Sequence, residues 1–132
     1  MLKVEDNELL TRVGPKTPMG EFLREYWMPA CRSASLLADG APQRVRLMGE
    51  NFVAFRATDG KTGFIHEACP HRGASMALAR NEHNGLRCIF HGWKIDTCGK
   101  VVDCPAEPAD TREAFAARIR VGAFPTREAG GM

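Results

Sequence analysis

Two short segments, Cys69-Pro70-His71 and Cys88-Ile89-Phe90-His91, constrain this chain more than any other feature. Each offers one thiol and one imidazole, and sixteen residues separate His71 from Cys88. Thiolates and neutral imidazoles both suit soft and borderline transition metals. A fold that uses all four must bring two loops, distant in sequence, to one place. Pro70 stiffens the first loop. Gly73 and Gly92 follow the two His residues, where backbone can pass close to a bound inorganic core without a colliding side chain. Several readings compete on the residues alone. Tetrahedral zinc takes two Cys and two His, but its ligands usually come as Cys-Cys and His-His pairs rather than one of each per loop. A Cys nucleophile beside a His base leaves the duplication unexplained. Four residues matching with no site at all is the third.

The surrounding pattern is that of a β protein. Thr17-Pro18 reads as N-cap and first residue of a short helix carrying Phe22, Leu23, Tyr26 and Trp27 and ending at Pro29. From Arg44 onward strands take over: Arg44 to Leu47, a turn at Gly49-Glu50-Asn51, Phe52 to Arg56, a turn at Asp59-Gly60, then Phe64 and Ile65 leading into the first loop. Asn84-Gly85 is the strongest hairpin signal, and Leu86-Arg87 runs from it into Cys88. Both loops therefore follow a strand end, where two hairpin tips can converge. Cys98-Gly99 turns Lys94–Asp96 back onto Val101–Asp103, and Ala116 to Val121 is expected to be a further strand. The expectation is an all-β architecture: a small subdomain raised on a larger antiparallel sheet or partial barrel.

Composition excludes several classes. The chain is 44% hydrophobic and 26% charged, as in soluble globular domains. A formal net charge of +2 is too small to imply nucleic acid or an anionic membrane. There is no apolar run of about 18 residues, and the start, Met1-Leu2-Lys3-Val4-Glu5-Asp6, lacks the apolar core of a signal peptide. The cytoplasm is the expected compartment, where Cys31, Cys98 and Cys104 would be free thiols, Cys98 exposed in its turn. His66 is expected at a strand-end surface and His83 in a solvated turn.

Cys-x-His, sixteen residues, Cys-x-x-His resembles the cluster-binding signature of Rieske proteins. The resemblance implies a [2Fe-2S] cluster with Cys69 and Cys88 on one iron and His71 and His91 on the other. Two neutral imidazoles in place of two thiolates turn a dianionic centre into a neutral one. An electron then enters more easily, at about −150 mV or above against about −400 mV for plant-type ferredoxins. Proton transfer could couple through His71 and His91. Backbone N–H groups of the loops would tune the sulfurs, Trp93 would cover one side of the cluster, and Arg72 would hydrogen bond nearby or contact a partner. The extra Cys of respiratory-complex Rieske proteins is absent, since Ala74 follows Gly73 and Gly92-Trp93 follow His91. That places the chain with Rieske-type ferredoxins and oxygenases.

Leu10-Thr11-Arg12-Val13-Gly14-Pro15, Thr17-Pro18-Met19-Gly20 and Tyr26-Trp27-Met28-Pro29 are similar to the N-terminus of phthalate-dioxygenase-like terminal oxygenases. The resemblance divides the chain into a helical leader, 1–38, and a Rieske domain, 39–132, with its cluster-binding subdomain at about 66–98. It implies electrons from a flavin/iron-sulfur reductase, passed across a boundary in a ring-shaped homotrimer to a neighbour's mononuclear Fe(II). An acidic residue would bridge His71 or His91 to that iron's ligands. The mononuclear site needs two His and a carboxylate, and no His follows His91. It is therefore expected outside this chain, which would be a C-terminally truncated, electron-relay part of an oxidoreductase acting on aromatic compounds. The alternative is a free-standing Rieske ferredoxin, a carrier. Its short length favours that reading; the helical leader favours the oxygenase. A redox-dead structural domain is the third possibility.

Overall fold

A computed structural model describes residues 2–132. Seven short strands form two antiparallel sheets: β1 (Gln43–Leu47), β2 (Glu50–Arg56) and β3 (Thr62–His66) in order β1-β2-β3, then β4 (Arg80–Glu82), β5 (Gly85–Arg87), β6 (Lys94–Asp96) and β7 (Val101–Asp103) in order β4-β5-β6-β7. Helices are few and short: α1 (Val4–Thr11), α2 (Pro18–Arg24) and α3 (Arg112–Ala116). The all-β expectation holds. No helix among the described residues is long and apolar enough to cross a membrane.

Alternation along β2 and β3 makes two cores. Val53, Phe55 and Ile65 face a large cluster that includes Leu86, Ile95, Val101, Cys69, Cys88 and Trp93. Phe52, Ala54 and Phe64 face the other way, against Leu36, Val45 and Leu47. The three-stranded sheet is thus covered on both faces, and the side it shares with the four-stranded sheet carries the two Cys-His loops. Asn81 stitches the sheets together, its amide donating to Gly40 O at 3.0 Å and Arg56 O at 2.7 Å.

Thr17 caps α2 as expected, accepting from Gly20 N at 3.2 Å. The helix ends at Arg24, five residues short of Pro29, and α1 adds a second helix to the leader. Arg24 fastens this leader to the sheet by donating to Val13 O at 3.3 Å, Gly20 O at 2.8 Å and Glu50 at 2.6 Å.

Two hairpin turns sit one residue earlier than their composition indicates. Met48 and Gly49, not Gly49-Glu50-Asn51, have positive φ (47° and 82°) and join paired Leu47 and Glu50. His83 and Asn84, not Asn84-Gly85, have φ of 47° and 63° and join paired Glu82 and Gly85. In each case register wins, because a one-residue slip would turn the apolar face outward. A Cβ at Gly85 would lie 2.6 Å from Ile95 O.

The expected strand over Ala116 to Val121 does not form. Arg112–Ala116 is helical, and only isolated bridges, Lys100 with Arg120 and Ile65 with Ala123, extend the sheets here. The alternation is real as burial, with Arg118 and Arg120 exposed and Val121 buried, but no strand runs alongside to complete a ladder.

Candidate functional site

β3 ends at His66 and the first loop begins three residues on; β5 ends at Arg87 and the second begins at the next residue. The loops share one hydrogen-bond plan. Cys69 N donates to Ala74 O at 2.9 Å and accepts back through its own carbonyl from Gly73 N at 2.8 Å. Cys88 N donates to Trp93 O at 2.9 Å, and Gly92 N to Cys88 O at 3.0 Å. Gly therefore stands four residues after Cys in both loops, although His comes at the second position in one and the third in the other. Both glycines are left-handed, φ 70° at Gly73 and 75° at Gly92, a conformation costly to residues with a Cβ.

The shared plan sorts the four side chains into pairs. Cys69 and Cys88 are 4% and 3% exposed, lie in the same core cluster, and Cys88 is near enough to push the Cys69 thiol up. The His71 and His91 rings lie 4.6 Å apart, centroid to centroid. His71 is flat on Trp93, and its Nδ1 is buried without a hydrogen-bond partner. His91 is exposed, with Phe90 against it at 4.0 Å. No three His, Cys, Asp or Glu side chains among the described residues gather so as to hold a single ion.

Electrostatics prepare these groups differently. Burial pushes the Cys69 thiol up, backbone N–H groups of His71 and Arg72 aimed at its sulfur pull it down, and Cys88 adds an upward push. A bound cation would reverse the burial penalty and leave those N–H donors in place. The His91 imidazole is held below its ordinary value, first by desolvation and then by His71 and Arg72. The His71 and Phe90 rings lie against it, at 4.6 and 4.0 Å, although the residue as a whole is exposed. The neutral form, the one that ligates, is favoured.

Trp93 is buried, joining the large core and meeting Phe115 edge-on. Arg72 is exposed beside His91. His66 departs from the expected surface position: it is half-buried, stacked on Phe52 at 5.0 Å and edge-on to Phe124 at 5.3 Å. His83 and Cys98 are exposed as expected, and Cys104 is fully buried. Sequence reading passed over Arg87, Glu82 and Asp103, which meet beneath the second loop. Asp103 lies sixteen residues from Arg87, so no local signal links them.

Residues 26–125 match the family Rieske [2Fe-2S] domain. The whole chain is 47% identical, over 133 residues, to the 3-chlorobenzoate-3,4-dioxygenase oxygenase subunit of Comamonas testosteroni, covering 100% of this chain and 30% of that protein. It is 46% identical, with the same shares, to the phthalate 4,5-dioxygenase oxygenase subunit of Pseudomonas putida. Among solved structures it is similar to the NdmA QL mutant of Pseudomonas putida CBB5 with theobromine, at TM-score 0.72 and 30% identity, covering 84% of this chain and 33% of that one. The chain thus spans about 30% of the length of these curated relatives.

Proposed function

Since this chain belongs to the Rieske [2Fe-2S] domain family, we propose that it is the electron-relay domain of an oxygenase that hydroxylates or demethylates aromatic compounds. Its electrons come from a reductase component and leave for a mononuclear iron held elsewhere in the assembly, on its own or a neighbouring subunit. The observation that carries this reading is the sorting of the donors: a buried pair of thiols beside a pair of imidazoles, one with an unpartnered buried nitrogen. A binuclear cluster asks for two ligands per iron, so Cys69 and Cys88 would hold one iron and His71 and His91 the other. When bound, the cluster supplies a store for a single electron.

The chain's own residues do the rest. Trp93 and the apolar core exclude water from the thiol pair. N–H groups of His71 and Arg72 stabilise negative charge on the Cys69 sulfur. The exposed edge of His91 is the point at which an electron partner can approach. Alignment of the full chain, leader included, with oxygenase subunits supports the oxygenase over a separate carrier.

The test is anaerobic purification with iron and sulfide quantified, followed by electron-spin resonance of the reduced protein. The expected result is a mixed-ligand [2Fe-2S] spectrum that disappears in both His71→Ala and His91→Ala. A variant that keeps the parent spectrum sinks the ligand assignment. Reduction by a phthalate-type reductase, with no substrate turnover by this chain alone, tests the relay role.

A further inference from the structure

We propose that Arg87 is a positioning residue for the second Cys-His loop and, with Glu82 and Asp103, sets the charge beneath it. The inference rests on the cluster site proposed above. Arg87 ends β5 and directly precedes Cys88. Its Nη1 donates to Gly92 O at 2.7 Å and to Asp103 Oδ2 at 2.9 Å, and its Nε to Glu82 Oε1 at 2.6 Å. One guanidinium therefore closes the loop across its mouth, from the residue before Cys88 to the residue after His91. The gripped carbonyl belongs to Gly92, the residue between His91 and Trp93, and the rings of both neighbours lie against His71, at 4.6 and 4.7 Å. Holding that carbonyl fixes how the three rings meet.

The residues directly across the ladder do not ask for a cation here. Arg87 stands opposite Arg80 on β4 and Lys94 on β6, and like charges directly across a ladder are unfavourable. Its side chain is only 19% exposed, so the charge is partly desolvated and needs its carboxylates. Glu82 is shared, with Arg80 Nε 3.6 Å from its other oxygen. What the position gains from arginine is the planar fork that reaches three acceptors at once, which the single ammonium of lysine cannot do.

Reduction of the centre adds negative charge, so the nearby ionic groups bias it. Removing the Arg87 cation leaves Glu82 and Asp103 uncompensated and opposes reduction. Removing the Asp103 charge favours it. Lysine at this position keeps the charge and loses the fork.

The experiment compares Arg87→Gln, Arg87→Lys and Asp103→Asn with the parent chain, iron and sulfide content being measured first. The potential is expected to fall in Arg87→Gln and rise in Asp103→Asn. In Arg87→Lys it is expected to stay near the parent's while cluster loss to a chelator quickens about ten-fold, the lower end for loss of an outer partner. Shifts of the same sign in Arg87→Gln and Asp103→Asn would overturn the charge role. Parent-like cluster loss in Arg87→Lys would overturn the positioning role. If Arg87→Gln does not fold, Asp103→Asn and Arg87→Lys decide alone: an unshifted potential in the first, or parent-like release in the second, refutes the corresponding role. A parent chain that takes up no cluster defeats the proposed function itself, whereas a loaded parent with unmoved variants defeats only this inference.

Discussion

The imidazole of His71 lies flat against the indole of Trp93, ring centroids 4.7 Å apart and planes 5° from parallel. Trp93 is 7% exposed and belongs to the main core, so one side chain both fills the fold and shields the site. The two roles separate in substitution. Trp93→Ala is expected to lower stability by about 3–5 kcal/mol and to admit water beside His71. Water favours the more highly charged reduced centre, so the potential should rise. Trp93→Phe keeps an aromatic face on His71 and should move both quantities less. Denaturant melts paired with redox titration check this; equal potentials in the Ala and Phe variants would count against shielding.

Gly73 and Gly92 occupy equivalent places in the two loops yet meet different surroundings. A Cβ at Gly73 has nothing within 4 Å, whereas one at Gly92 lies 3.1 Å from Pro105 Cγ. Gly73→Ala is expected to cost only the left-handed backbone, about 1–2 kcal/mol. Gly92→Ala is expected to cost more, since Pro105 must also move. Urea unfolding of the metal-free chains measures the difference, and a costlier Gly73→Ala would refute the contact.

Much of this was legible in the sequence. The Cys-His loops stand out because each pairs one Cys with one nearby His and then a Gly, and the strands because β-branched and aromatic residues alternate between turn residues. The misses have physical causes. Met48 and His83 at positive φ are unfavourable locally and are imposed by register, which composition does not record. Arg118-Ile119-Arg120-Val121 alternates like a strand, but a strand also needs a continuous neighbour, and only single bridges form. The grip of Arg87 on Gly92 and Asp103 depends on three strands already in place.

Glu82 gives the site base a pH dependence. The hydrogen bond from Arg87 holds its carboxyl below the ordinary range; burial opposes, and Arg80, Arg87 and His83 charges assist. A lowered folded value means the pair stabilises fully above the ordinary carboxylate pKa of about 4.3. That contribution is lost as pH falls through the lower, folded value. The stability gap between the parent and Glu82→Gln should therefore be open near neutrality and close at acidic pH. Glu128, lowered first by its hydrogen bond with Arg56, titrates the same way in both proteins and cancels in the comparison. A gap that widens on acidification would contradict the sign.

Asn81 offers the sharpest test of how the two sheets are joined. It is a buried polar side chain that donates two hydrogen bonds, to Gly40 O and Arg56 O. Asn81→Ala leaves those carbonyls short of a donor and is expected to cost about 1–3 kcal/mol. Asn81→Asp is nearly the same shape but, when ionised, sets carboxylate oxygens against carbonyl oxygens. It should cost more than the Ala variant at neutral pH. Burial and these acceptors raise the introduced carboxyl's folded pKa, so its penalty should shrink as pH falls and a protonated oxygen can donate again. Urea unfolding at neutral and mildly acidic pH distinguishes the cases. If Asn81→Asp matches Asn81→Ala at neutral pH, the two amide hydrogen bonds are not what ties the four-stranded sheet to its neighbour.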